Sequence, residues 1–233
     1  MLGYGYYYDP TYLLVLVGAV LSIWASSRVN STYSKYARVA SMSGLTGAQA
    51  ARRILDYSGL SNIRIERVSG NLTDHYDPSA KVLRLSDTTY GSTSVAAIGV
   101  AAHECGHAVQ DKESYGPLKL RGALVPVANL GSKLGLPMVI LGLFLGLTES
   151  LAMIGVWVFS LSVLFQIVTL PVEFNASSRA LQMLEGYHIL GSQESVHCKK
   201  STFCSSINLC GGSSGFYPAA AQTVSDRGRP QTR

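Results

Sequence analysis

Long apolar runs alternate with stretches of mixed polarity along this chain, and the lengths of the runs define its first elements. Val125–Leu147 and Leu151–Leu170 each approach the ~20 residues that a helix needs to cross a bilayer. Only Thr148, Glu149 and Ser150 part them, so together they predict a transmembrane hairpin over residues 123–170. Lys133 interrupts the Val125–Leu147 run and is expected near its inner end. An earlier run, Thr11–Ala25, is slightly short for a span. Tyr4, Tyr6, Tyr7 and Tyr8 before it and Trp24 near its end carry amphipathic rings that settle at a membrane–water interface and lengthen it. A cleaved signal peptide would open with basic residues, and none precedes Arg28, so residues 1–27 read as a transmembrane anchor.

Between anchor and hairpin the period shortens, and residues 28–122 read as an α+β segment. Thr46-Gly47-Ala48-Gln49 is a capping box: the Thr hydroxyl and the Gln amide each satisfy the other's backbone N–H at a helix start, and Gly59 ends that helix. Asn62–Val68 and Lys81–Ser86 alternate as short strands do, with Gly70-Asn71 and Asp77-Pro78 as turn signals between them. Two readings stay open for the second strand. It is either half of a plain core hairpin or an edge, Val82, Leu83, Arg84 and Leu85, on which an extended peptide substrate adds as another strand. Beyond the transmembrane hairpin, residues 171–194 read as a helix opened by Pro171. From Ser195 the residues turn rich in Ser, Cys and Arg without any period, and 195–233 read as a disordered or out-of-frame tail.

Composition strengthens the membrane reading. Of 233 residues, 47% are hydrophobic and only 14% charged, against about 25% charged in a typical soluble domain. The net charge of +5 is dispersed rather than gathered in a run, which argues against a nucleic-acid partner and for a bilayer with a basic cytoplasmic side. Arg28, Lys35 and Arg38 follow the first run, Arg179 follows the third, and the turn at Glu149 has no basic residue. The turn is therefore expected outside, with residues 28–122 and those after Leu170 in the cytoplasm. Four cysteines in this spacing form no disulfide framework.

The chemistry is concentrated in His103-Glu104-Cys105-Gly106-His107, within an Ala/Val-rich stretch from Ser94 to Gln110 that reads as one buried helix. At about 100° per residue, His103 and His107 fall about 40° apart, so two imidazoles can reach one Zn²⁺. Glu104 lies about 100° round from His103, where a carboxylate can take a proton from a zinc-bound water without ligating the metal. Cys105 is turned about 200° from His103 and reads as a small core residue rather than a ligand. A catalytic zinc site needs a third protein ligand. Glu173 is the first candidate, because the hairpin returns it to the same side, with His75, Asp74, His188 and Glu185 as competitors. His75 and Tyr76, in a polar cluster, are candidates for lining the cleft or steadying an oxyanion.

Three blocks, Leu72-Thr-Asp-His-Tyr-Asp-Pro78, Val100-Ala-Ala-His-Glu-Cys-Gly-His-Ala-Val-Gln110 and Pro171-Val-Glu-Phe-Asn-Ala-Ser177, together resemble the YugP-like family of bacterial membrane zinc metallopeptidases over roughly Tyr12–Glu194. The resemblance implies a mainly α-helical membrane protein with a small zincin-like α+β segment and a multi-pass place in the cytoplasmic membrane. It further implies a cytoplasm-facing site with His103, His107 and Glu173 on zinc and Glu104 as base, acting on peptide or protein substrates. Two departures stand out. Asn175 occupies a position where the family's pattern has Asp, which puts a contact that orients a ligand in question. Past Glu194 the pattern continues into an Ala/Leu-rich helical region with a further membrane segment, where this chain has its Ser/Cys/Arg-rich tail. A second reading therefore stands beside the peptidase: a non-catalytic, zinc-stabilised membrane scaffold or truncated inactive product.

Overall fold

A computed structural model of the chain describes residues 31–144, 149–191 and 194–198, together with Val17, Val20, Trp24 and Ser27. The expected N-terminal anchor and residues 199–233 thus lie almost wholly outside the described residues. What is described is mainly helical, with one small sheet. Helix α1 (Gly47–Tyr57) starts on the capping box, with both reciprocal hydrogen bonds between Thr46 and Gln49 formed. It ends where Gly59 turns to φ +66°, a conformation that a Cβ would strain. Its apolar stripe, Ala50, Ala51, Ile54 and Leu55, is fully buried in the core.

Three strands follow: β1 (Arg64–Val68), β2 (His75–Asp77) and β3 (Val82–Ser86). Their order is β1-β3-β2, with β3 parallel to β1 and antiparallel to β2. Asp77 builds the β2–β3 turn by accepting the Ser79 and Ala80 amides on Oδ1. This corrects both readings of the second strand. Val82, Leu83, Arg84 and Leu85 are not a free edge, and their hairpin partner is β2 rather than the strand at Asn62–Val68, which pairs with them in parallel. They form the central strand, paired along its length with β1 and over Val82–Arg84 with β2. The Arg84 guanidinium ties the three strands together through Glu66 on β1 and Asp77 on β2. The three-residue β2 was hidden because it is too short to show a period and exists only by pairing with β3.

A short helix, α2 (Asp87–Tyr90), leads into α3 (Val95–Lys112), whose N-cap Ser94 accepts the Ala97 amide on its side chain. Nearly all of α3 is buried, as its Ala/Val/Gly composition requires of a helix packed on several sides. Two long helices complete the fold: α4 (Gly116–Phe144) and α5 (Glu149–Gly186). They run antiparallel in close contact. Ser162 Oγ donates to the Ala128 carbonyl, and a Cβ on Gly131 would stand 2.7 Å from the Val158 carbonyl oxygen. Ile154, Trp157, Leu161 and Leu164 of α5 and Leu130, Leu134, Ile140 and Leu141 of α4 turn outward and are exposed. Gly116–Gly142 and Ser150–Gly186 are each long and apolar enough to cross a membrane.

Three boundaries differ from the sequence reading, the first being that α4 already begins at Gly116, ahead of the hairpin expected from residue 123. The second apolar run does not stop at Pro171 to let a new helix begin: α5 passes through it unbroken. Proline removes one rung and costs about 3 kcal/mol inside a helix, but here packing holds both sides of it. The N-terminal half lies against α4, and Val172, Ala176, Ala180 and Leu184 are buried in the second half. Residues 195–198, expected in the tail, are helical with Glu194. Glu194 accepts the Met42 amide at 2.8 Å and the Gly191 amide at 3.0 Å, His197 stacks on Tyr36, and Cys198 is buried in the core. Composition changes at Ser195, whereas packing continues to Cys198.

Candidate metal centre

Helix α3 presents His103 and His107 from one face, with ring centroids 4.8 Å apart and planes at 82°. From α5, Glu173 reaches the same point: its Oε2 lies 3.1 Å from His103 Nε2 and 3.5 Å from His107 Nε2. All three side chains are buried, and one donor atom from each lies within 4.8 Å of the others. Two ligands at ~2.05 Å from a tetrahedral zinc stand about 3.3 Å apart, which the two distances from Glu173 Oε2 bracket. The close approach of Gly106 to α5, where a Cβ would lie 2.5 Å from the Ala176 carbonyl oxygen, is what brings the glutamate within reach.

The hydrogen bonds behind the histidines settle which nitrogen faces the centre. Arg179 can only donate, and its Nε gives 2.7 Å to Asn175 Oδ1. That oxygen also accepts Gln110 Nε2 at 2.9 Å, and Gln110 Nε2 gives a second bond to the Val172 carbonyl. Gln110 must therefore turn Oε1 toward His107 Nδ1, at 2.9 Å, which then carries the proton and leaves the Nε2 lone pair for a cation. His103 Nδ1 is held at 3.0 Å by Ser177 Oγ. The His107 Nε2 lone pair and the Glu173 carboxylate oxygen, 3.5 Å apart, repel unless a proton or a metal lies between them, so the donor set suits a divalent cation. Asn175 in place of an acid still accepts from both neighbours, so the orienting contact is kept. Asn175 was marked by its departure from the family's pattern, whereas Gln110, Ser177 and Arg121 escaped the sequence reading because nothing local marks them. Their roles arise only when α3, α4 and α5 meet.

Glu104 is buried beside this trio and accepts the Tyr76 backbone N–H on Oε2 at 3.1 Å. Burial pushes its carboxyl up to about 7. A base in that range is suited to taking and returning a proton near neutral pH. Cys105 packs in the core, its Sγ 3.7 Å from the Ala51 carbonyl, and burial raises its thiol well above the usual range. It takes no part in the cluster.

The remaining candidates are not brought to the centre. His75 is exposed, with Nδ1 on the Thr73 carbonyl and Nε2 facing Arg84, because β-strand alternation sends it to the opposite face from Tyr76. Tyr76 touches Glu104 through its backbone only, and its phenol donates to Asp111 at 2.7 Å, which raises the phenol's pKa beyond its burial. Neither ring is therefore an oxyanion donor in this arrangement. Asp74 is engaged by Ser86 and Thr89, and burial raises its carboxyl. Glu185 and His188 are exposed beyond the buried part of α5. The strand Val82–Leu85 lies inside the sheet, as described above.

Comparison with known proteins agrees with this geometry. A family described as "putative neutral zinc metallopeptidase" matches residues 11–205. The "putative membrane protease YugP" of Bacillus subtilis (strain 168) is 49% identical over 176 residues, which are 75% of this chain and 78% of that protein. No solved structure matches the chain.

Proposed function

The chain belongs to the neutral zinc metallopeptidase family, and from that premise we propose that it is a membrane-bound zinc metalloendopeptidase. It would cut peptide or protein substrates at the cytoplasmic face of a bacterial cytoplasmic membrane. The observation that carries this reading is the buried His103–His107–Glu173 trio, whose donor atoms all lie within 4.8 Å of one another, with Glu104 alongside. Zinc bound there supplies a Lewis acid that acidifies water and polarises a carbonyl.

The chain's own residues do the rest. His103, His107 and Glu173 would hold the ion, and the Ser177 and Gln110 contacts keep the two Nε2 atoms turned inward. Glu104, steadied by the Tyr76 amide, takes the proton of the attacking water and passes it to the leaving amine. The sheet and α1–α3 form the zincin-like cytoplasmic part in this reading, and α4 and α5 anchor it in the bilayer. Its cytoplasmic orientation is supported by Lys35, Arg38 and Arg179 on one side of the apolar helices and by the absence of basic residues at the turn.

The test compares zinc content and cleavage of an unstructured peptide for the purified full chain. Glu104→Gln should keep zinc and lose hydrolysis, since its amide removes the proton acceptor and leaves the ligands intact. Glu173→Gln should lose zinc affinity as well. Zinc binding without cleavage by the unaltered chain would favour the scaffold reading, and cleavage that survives Glu104→Gln would remove Glu104 as base.

A further inference from the structure

Glu173 divides its two oxygens between different neighbours. Oε2 faces the Nε2 atoms of His103 and His107, whereas Oε1 lies 2.9 Å from the Arg121 guanidinium. Arg121 stands on α4 at the level that the antiparallel pairing with α5 sets opposite Glu173, and its side chain is only 26% exposed. Two physical consequences follow. A buried carboxylate among neutral imidazoles lacks a counter-charge, and the guanidinium, charged at any working pH, supplies one. With Oε1 turned to the guanidinium, Oε2 is the oxygen presented to the two Nε2 atoms and to a cation between them. Coordination through both oxygens would instead fill the position that a catalytic site leaves open for water.

We infer that Arg121 is a positioning residue that restricts Glu173 to one-oxygen metal binding and keeps the three-donor site assembled. The inference rests on the reading of His103, His107 and Glu173 as metal ligands. Arg121 acts through Glu173 and contacts no reacting atom.

Zinc affinity by chelator competition and the visible absorption of the cobalt(II)-loaded full chain test this in the wild type, Arg121→Gln, Arg121→Lys and His103→Ala. Arg121→Gln should bind zinc about 10–100-fold more weakly, with cobalt bands that fade as coordination rises from four to five. Arg121→Lys, which keeps the charge, should recover most of the affinity and the wild-type bands. Unchanged affinity and bands in Arg121→Gln, with His103→Ala still failing to bind, would overturn the positioning role alone. Wild-type binding by His103→Ala would overturn the metal site beneath it. Should Arg121→Gln fail to fold, infrared spectra of the wild type decide. The splitting of the Glu173 carboxylate stretches, assigned by difference against Glu173→Gln, should widen on zinc binding, and narrowing would overturn the inference.

Discussion

Replacing Glu104 by glutamine should stabilise the metal-free protein at pH 8 and change it little at pH 5. The carboxyl is buried, and its pKa is raised from 4.5 to about 7. The folded chain therefore holds a proton that the unfolded chain has released between those two values. The stability attached to this group is fully present below 4.5 and is lost as pH rises through about 7. At 1.36 kcal/mol per unit, the loss reaches roughly 3 kcal/mol at pH 8 and stays under about 1 kcal/mol at pH 5. Glutamine has no proton to lose and can still accept the Tyr76 amide, so the variant escapes the loss. At about 2–4 °C per kcal/mol for a chain of this size, its Tm should exceed the wild type's by roughly 6–12 °C at pH 8. Differential scanning fluorimetry of metal-stripped protein at both pH values reads this, and titrating groups not coupled to Glu104 cancel because each comparison is made at one pH. Zinc should narrow the gap, since a dication beside the carboxylate favours its charged form. An equal shift at both pH values, or a lower Tm for the variant at pH 8, would refute the argument.

Two further outcomes follow from the packing and hydrogen bonds, and a third from the charges that flank the apolar helices. Gly106→Ala puts a Cβ 2.5 Å from the Ala176 carbonyl oxygen, so α3 and α5 must part; unfolding measurements should show a loss of about 1–3 kcal/mol together with weaker zinc binding. Gln110→Leu removes the acceptor that fixes His107 and the donor to Val172 and Asn175, and should lower zinc affinity about 10–100-fold in a chelator competition; unchanged affinity would show that the tautomer is set elsewhere. A cysteine at Ser150 should react with an impermeant thiol reagent in intact cells, and protection there would reverse the topology.

Most of the candidate site was legible where its logic is local. The histidine pair and Glu104 follow from one helical period, and the Thr46–Gln49 cap from a four-residue pattern. Glu173 required only the idea that a hairpin brings the chain back to its starting side. What stayed hidden depends on three-dimensional neighbours. The strand His75–Asp77 exists because β3 offers it an edge, so neither its presence nor the central place of Val82–Leu85 shows in composition. Pro171 carries a strong local signal for a helix start, and packing against α3 and α4 overrides it. Arg121 and Ser177 have no pattern of their own and acquire roles only from the residues across from them.

The continuity of α5 makes the metal centre one end of a ruler. From Glu149 to Glu173 the helix climbs 24 residues, about 36 Å at 1.5 Å each, against a hydrocarbon core ~30 Å thick. In the membrane setting proposed above, a rigid rod with its upper end at the outer surface sets Glu173 about one helical turn beyond the inner boundary. A tilt of about 20°, common for membrane helices, draws that end up by roughly 2 Å. Lipid thickness would then set how far from the bilayer a scissile bond must lie, and a thicker membrane would carry the site toward its own surface.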